Sequence, residues 1–264
     1  MSIRAESYPG EVERVVQHVV GAISRAEAAS EPFAHLRLAD VFPPDVYAAM
    51  VSSMPGDDVY RPMSGRARES RDPEGRPTRI KLDLFPEFVR HLPNGAREVW
   101  DVVGRALCDP LVRDAFRDRL SAGLVKRFGE AYRSAGLYPI PILTRDVAGY
   151  RIGIHPDTRR KAITVQLYLP ADRSIEHVGT VFHRRAADGR YERACQMPFA
   201  PNTGYAFAVG GDTYHSVDTV GEEVRTRDSI LLTYFCDETW IEVARNRGKR
   251  IGNLLRNELR ALVR

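Results

Sequence analysis

His155 and Asp157 stand two residues apart in GYRIGIHPDT, the spacing that sets both side chains on one face of a strand, where an imidazole and a carboxylate can meet one cation. Further along, His215 follows a Gly-Gly turn in GGDTYHSVD, just ahead of the last apolar stretch. A second imidazole brought in from a neighbouring strand would complete a set of two histidines and one carboxylate on one side of an ion. Such a set leaves coordination positions open for a co-substrate and dioxygen, which suits iron(II) and not a closed structural zinc site. Taken alone, His155-Pro156-Asp157 reads equally well as a surface turn capped by its aspartate. The residues that follow it in order favour the metal.

Arg227 opens RTRDSILLTYF, where Arg227, Ser229, Leu231 and Thr233 share one face of a strand. A guanidinium offers two parallel donors and stays charged, so it suits the far carboxylate of 2-oxoglutarate while the keto acid end chelates the metal. Arg225 has the same parity and competes for the role. In AITVQLYLP, Thr164, Gln166 and Tyr168 alternate with apolar neighbours, which gives one polar face, and Tyr168 can donate its hydroxyl to the same carboxylate. Three further residues are substrate-contact candidates: Gln166, His183 in GTVFHRR, and Arg151, which shares the parity of His155 and suits an anionic substrate as well as it suits a rim salt bridge.

The elements needed to position these groups are legible on either side of residue 137. Before it, EVERVVQHVVGAISRAEA over 11–28 places Val15, Val16, Val19, Ala22 and Ile23 at helical spacing. Phe33–Pro55 reads as a short strand followed by a helix opened by Pro43-Pro44 with Asp45 in its first turn. Gly56–Thr78 is rich in Arg, Gly, Pro and Ser without an apolar period, which predicts an irregular loop that could serve as a lid. Phe85 to about Phe128 predicts two or three helices with a break near Asp109-Pro110. From Leu137 short alternating runs separated by Gly, Pro, Asp or Asn predict an antiparallel barrel, with Asp188-Gly189 as a hairpin turn. After Trp240, Ile251, Leu254, Leu255, Leu259 and Leu262 predict a closing helix with a basic outer face. The expected division is a helical region over 1–136, a β core over 137–240 and a terminal helix over 241–264, all in one structural domain of α+β class.

The order His-x-Asp, a strand ending Tyr-Leu-Pro, a distal His, then Arg ahead of a strand ending Tyr-Phe resembles the prolyl-4-hydroxylase-like branch of the iron(II)/2-oxoglutarate-dependent oxygenases. The motif likeness covers about residues 145–236. It implies a double-stranded β-helix (jelly roll) with helices before it. It also implies iron held by His155, Asp157 and His215, 2-oxoglutarate bound by Arg227 (or Arg225) and Tyr168 with Thr164 nearby, and dioxygen as oxidant. The implied reaction is oxidative decarboxylation of 2-oxoglutarate coupled to hydroxylation of an unactivated C–H bond. Relatives that halogenate replace the carboxylate with a small residue, so Asp157 argues against halogenation.

Composition sets the remaining limits. The chain has 264 residues, 43% hydrophobic and 28% charged, as in an ordinary globular protein. Its 39 basic residues are dispersed among 35 acidic ones, which argues against a nucleic-acid surface and leaves a mild bias toward anionic small molecules. The arginines at 66, 68, 71 and 76 read as a solvated loop. Cys108, Cys195 and Cys236 show no CxxC spacing and predict neither a disulfide framework nor structural zinc. No apolar stretch is long enough to cross a bilayer and the start lacks a signal-type apolar region, so a cytoplasmic protein without membrane contact is expected. Three functions stay open: a small-molecule hydroxylase, a hydroxylase of protein or peptide side chains, and a non-redox cupin-type binding or isomerase domain.

Overall fold

The computed structural model describes residues 8–63 and 71–236. Its twelve described strands are β1 (Glu27–Ala29), β2 (His35–Ala39), β3 (Arg61–Pro62), β4 (Arg79–Asp83), β5 (Leu137–Asp146), β6 (Ile152–His155), β7 (Lys161–Tyr168), β8 (Thr180–Arg185), β9 (Tyr191–Met197), β10 (Thr203–Ala208), β11 (Tyr214–Val217) and β12 (Arg227–Cys236). They form a large sheet in the order β1-β2-β10-β7-β12-β5-β4-β3 and a small sheet in the order β6-β11-β8-β9. All the pairings are antiparallel, and the two sheets face each other as a jelly roll. The four N-terminal strands belong to the large sheet, so the region before residue 137 shares its hydrogen bonding with the β core.

Period-two alternation decides what each face of the large sheet meets. On β7, Val165 and Leu167 pack with Ile230 and Leu232 of β12 against α1 (Tyr8–Arg25) and α4 (Asn94–Leu107), where Val15, Val19, Ile23, Trp100, Val103 and Leu107 are buried. The opposite face carries Tyr168, Tyr205 and Phe207, which pack with Phe182, Phe199 and Val217 between the sheets. Both central strands are thus covered on both sides, and polar residues such as Thr164, Gln166, Ser229 and Thr233 are buried on them too. Burying one large apolar side chain contributes about 1.5–3 kcal/mol, so the helical layer is a main source of the sheet's rigidity.

The helices follow their capping signals. Pro44 opens α2 (Pro44–Ser52) with Asp45 in its first turn. Pro86 opens α3 (Pro86–Val89), and the Asp109 carboxylate accepts from the Leu111 amide at 2.8 Å to separate α4 from α5 (Pro110–Arg119), which α6 (Ser121–Phe128) follows. The Asp188-Gly189 turn joins β8 to β9, with Gly189 at φ +84°. Gly179 is required for another reason: a Cβ there would lie 1.7 Å from the Met197 carbonyl oxygen.

Three expectations need correction. Phe85 to Phe128 holds four helices, α3 to α6, and not two or three. The stretch 56–78 is not uniformly irregular, because Asp57–Val59 forms a helical turn, β3 pairs with β4, and Arg71 bridges to Pro77. Strand β4 itself was not anticipated; its alternation is too short and too charged to stand out from the preceding loop. Arg71 and Arg76 are exposed, the latter on Asp72, whereas Arg66 and Arg68 lie outside the described residues, as does the closing helix expected after Trp240.

Candidate metal centre

His155 ends β6 and His215 lies directly opposite it on β11. Side chains opposite one another in an antiparallel pair share a face, and these two rings stand with centroids 4.4 Å apart, tilted by 47°. Asp157 lies just past the strand, and its carboxylate comes round to the same point. The ligand atoms of His155, Asp157 and His215 all lie within 4.8 Å of one another. Among the described residues this is the one group of histidine, cysteine and carboxylate side chains that could hold a metal ion.

Backbone carbonyls fix both imidazoles. His155 Nδ1 is 2.8 Å from the Gly153 oxygen and His215 Nδ1 is 3.1 Å from the Thr213 oxygen. A carbonyl only accepts, so each Nδ1 carries a proton and Nε2 is the nitrogen left to ligate, the arrangement that holds a ligating imidazole in place. Burial pushes the His215 imidazolium down to about 4, against the pull of Asp157 and together with repulsion from His155, so the ring is neutral at pH 7. Burial opposes ionisation of Asp157, yet Lys161, His215 and Thr164 together hold its carboxyl well below the usual range. Lys161 Nζ donates to Oδ1 and Thr164 Oγ1 to Oδ2, each at 2.6 Å. The arrangement is two imidazoles, that of His215 neutral, and one anionic carboxylate, the donor chemistry of a divalent first-row metal.

Thr164 therefore touches the carboxylate of Asp157. Gln166 Nε2 donates to Ser229 Oγ at 2.6 Å on the same inner face, and Tyr168 donates to Thr180 Oγ1 at 3.1 Å. Arg227 is buried on that face, with its guanidinium stacked 4.8 Å from the Phe199 ring centre and 5.7 Å from that of Tyr168. Its Nη1 donates to Asp146 Oδ2 and its Nε to the Val178 carbonyl, both at 2.7 Å, while Nη2 is buried without a hydrogen-bond partner among the described residues. Arg225, in contrast, is exposed ahead of β12 and lines an outer cleft with Asp172 and Glu223.

Two substrate-contact candidates are placed elsewhere. Between β6 and β11 a bulge pairs His215 with His155 but Val217 with Ile152, so three steps on one strand match two on the other. Ile152 is thereby turned inward onto the core between the sheets, and Arg151, which parity alone put beside His155, is exposed. His183 pairs with Tyr214, and its Nε2 lies 2.7 Å from Ser216 Oγ. Ser216 alternates with His215, so His183 faces the side of the small sheet opposite the three ligands.

The site includes groups that sequence reasoning missed. Asp146 and Arg79 sit beside Arg227 in consecutive positions across β12, β5 and β4. Arg79 is stacked 4.2 Å from the ring centre of Tyr150, whose buried hydroxyl has no partner among the described residues. The Tyr205 hydroxyl donates to Thr180 Oγ1 at 3.1 Å. Lys161 lies four residues past Asp157, and the turn between β6 and β7 brings the two together.

No family model matches the sequence, and neither does any curated protein. Solved structures similar to it include a Pseudomonas putida prolyl-4-hydroxylase, 16% identical with TM-score 0.48, covering 84% of this chain and 98% of that one. A prolyl 4-hydroxylase from Phytophthora capsici is 12% identical with TM-score 0.48, covering 94% of this chain and 75% of that one. The non-heme alpha ketoglutarate dependent epimerase SnoN from nogalamycin biosynthesis is 12% identical with TM-score 0.45, covering 86% and 83%.

Proposed function

We propose that this protein is an iron(II)/2-oxoglutarate-dependent oxygenase acting on a small molecule. The observation that carries the reading is the convergence of two imidazoles and one carboxylate within 4.8 Å, in a jelly roll. Bound there, iron(II) would activate dioxygen while 2-oxoglutarate becomes succinate and carbon dioxide, one oxygen atom passing to succinate and the other to a substrate C–H bond.

The chain's own groups supply position and charge. His155 and His215 present Nε2 from rings held at Nδ1, and Asp157 presents a carboxylate whose orientation Lys161 and Thr164 fix. Arg227 fits the far carboxylate of the co-substrate, because its Nη2 is a buried donor without a partner, a situation that costs free energy until an acceptor arrives. The aromatic wall of Tyr168, Phe182, Phe199, Tyr205 and Phe207 keeps water from the interior of the barrel. A cavity of about 980 Å³ reaches Asp157 and is lined by Lys126, Phe128, Arg159 and Gly210 among others. Its volume suits a small molecule; its lining carries both signs, with Lys126 paired to Asp212 at 2.7 Å.

The test is anaerobic loading with iron(II) and 2-oxoglutarate, followed by oxygen and quantitation of succinate. Succinate that requires both additions, and disappears in His215→Ala, supports an oxygenase and sets aside a non-redox cupin. Iron-loaded protein that neither binds 2-oxoglutarate nor forms succinate overturns the reading. A screen of small anions against peptides as stimulants of turnover then separates the two substrate classes.

A further inference from the structure

Asp146 carries two arginines. Arg79 donates Nε to Oδ1 at 2.5 Å and Nη2 to Oδ2 at 2.8 Å, and Arg227 Nη1 adds a bond to Oδ2 at 2.7 Å. The three residues stand in one row across adjacent strands, Arg79 opposite Asp146 and Asp146 opposite Arg227. Asp146 is fully buried, Arg227 1% exposed and Arg79 8% exposed. Two guanidiniums on one carboxylate leave one positive charge uncompensated within the trio, in a place where an unbalanced ion is costly. Two buried donors at this cluster, Arg227 Nη2 and the Tyr150 hydroxyl, have no partner among the described residues.

Each member of the trio has a separable effect. An Arg227–Asp146 pair by itself would be neutral and would draw no anion. Asp146 fixes the plane of the Arg227 guanidinium through Nη1, which keeps Nη2 in a set direction. Arg79, gripping both oxygens of Asp146 in a fork, cancels that carboxylate without touching Arg227's outer edge. Burial disfavours the Arg79 cation, but Asp146 and the tyrosines raise its pKa, so it keeps its charge.

We propose that Arg79 and Asp146 are positioning residues that keep Arg227 charged in effect, oriented, and short of one acceptor, so that it binds the distal carboxylate of a 2-oxo dicarboxylate. The inference rests on the oxygenase reading above and adds to it a residue from strand β4 that makes no contact with the metal ligands in the structure.

The test uses iron(II)-loaded protein without oxygen, with 2-oxoglutarate binding measured by calorimetry and iron affinity measured separately. Arg79→Gln leaves Asp146 to neutralise Arg227, and 2-oxoglutarate affinity falls by about tenfold or more while iron affinity holds. The double variant Arg79→Gln/Asp146→Asn removes both charges together, restores the single positive charge on Arg227, and brings affinity back to within about threefold of wild type. A purely structural role would give no such recovery. Unchanged affinity in Arg79→Gln, or a double variant no better than the single one, overturns the proposal. If Arg79→Gln does not fold, Arg79→Lys decides. It keeps the charge and gives up one bond, so binding within about threefold of wild type supports the proposal and a loss of about tenfold overturns it. Wild-type protein that fails to bind 2-oxoglutarate removes the oxygenase reading and this inference together. Wild-type binding that Arg227→Gln leaves intact removes Arg227's role alone, and with it the inference.

Discussion

His215 and His155 face each other across the β6–β11 ladder with ring centroids 4.4 Å apart, each ring turned by a backbone carbonyl two residues before it. The repeated carbonyl contact orients both rings the same way relative to their strands. Because each contact stays within two residues of its own ring, removing one imidazole leaves the other in place. His215→Ala is accordingly expected to keep the fold and lose iron(II) by more than the roughly 10–100-fold that loss of an outer hydrogen-bond partner costs a metal site. Metal content after gel filtration, beside circular dichroism, checks it; full iron occupancy in the variant would refute the site.

Thr164 provides a milder test. Its hydroxyl donates to Asp157 Oδ2 at 2.6 Å, while Lys161 occupies Oδ1. Thr164→Val keeps the shape of the side chain and deletes one of the two bonds that hold the carboxylate. Iron affinity is expected to fall by about 10–100-fold, with the unfolding midpoint little changed. A competitive chelator titration reads the first quantity and urea denaturation the second.

The pair Arg225 and Arg227 separates burial from sequence parity. Both have the parity of the inner face, but strand β12 begins only at Arg227, which is buried, while Arg225 is exposed. Losing a charge-assisted hydrogen bond costs about 1.5–3 kcal/mol, so Arg227→Gln is expected to raise the KM for 2-oxoglutarate by about 10–100-fold. Arg225→Gln is expected to leave it unchanged. Succinate formation against 2-oxoglutarate concentration gives both values, and the reverse ranking would reassign the residue.

Local chemistry made much of this visible in advance. The helix break at Asp109-Pro110, the Asp188-Gly189 turn and the start of β structure at Leu137 each depend on a few adjacent residues, and all lie where their residue types require. Candidate ligands two apart, or at the start of a strand, were legible for the same reason. What was not legible depends on register. Counting leaves Arg151 equally suited to the cavity and to a rim salt bridge, and the bulge opposite Val217 leaves it exposed. His183 is a candidate for substrate contact only because its strand is expected near the barrel mouth, a packed or solvated place being the better expectation, and the face it takes is set by pairing with Tyr214. Arg79 and Asp146 meet only because β4 and β5 pair in a particular register, which no interval along the chain announces.

Acid sensitivity should reveal His35. Its ring lies at the edge of the inner core, 5.0 Å from Phe182 and 5.9 Å from Phe33 between centroids, with Nδ1 on the Phe33 carbonyl at 2.9 Å and Nε2 buried without a partner among the described residues. Burial lowers its pKa, Arg37 adds to that, and the Phe33 carbonyl and Glu27 oppose it. A folded-state pKa below the unfolded one means that the unfolded chain takes up a proton, near pH 6.5, that the folded protein refuses. The ring's contribution to stability is therefore complete above about pH 6.5 and is lost as pH falls toward its lower folded value. His215, pushed down to about 4, acts in the same direction in metal-free protein. His35→Leu removes one of these two proton sinks, so its urea midpoint should fall less than that of wild type between about pH 7 and about pH 5. Parallel slopes in the two metal-free proteins would show that His35 is not held neutral by its surroundings.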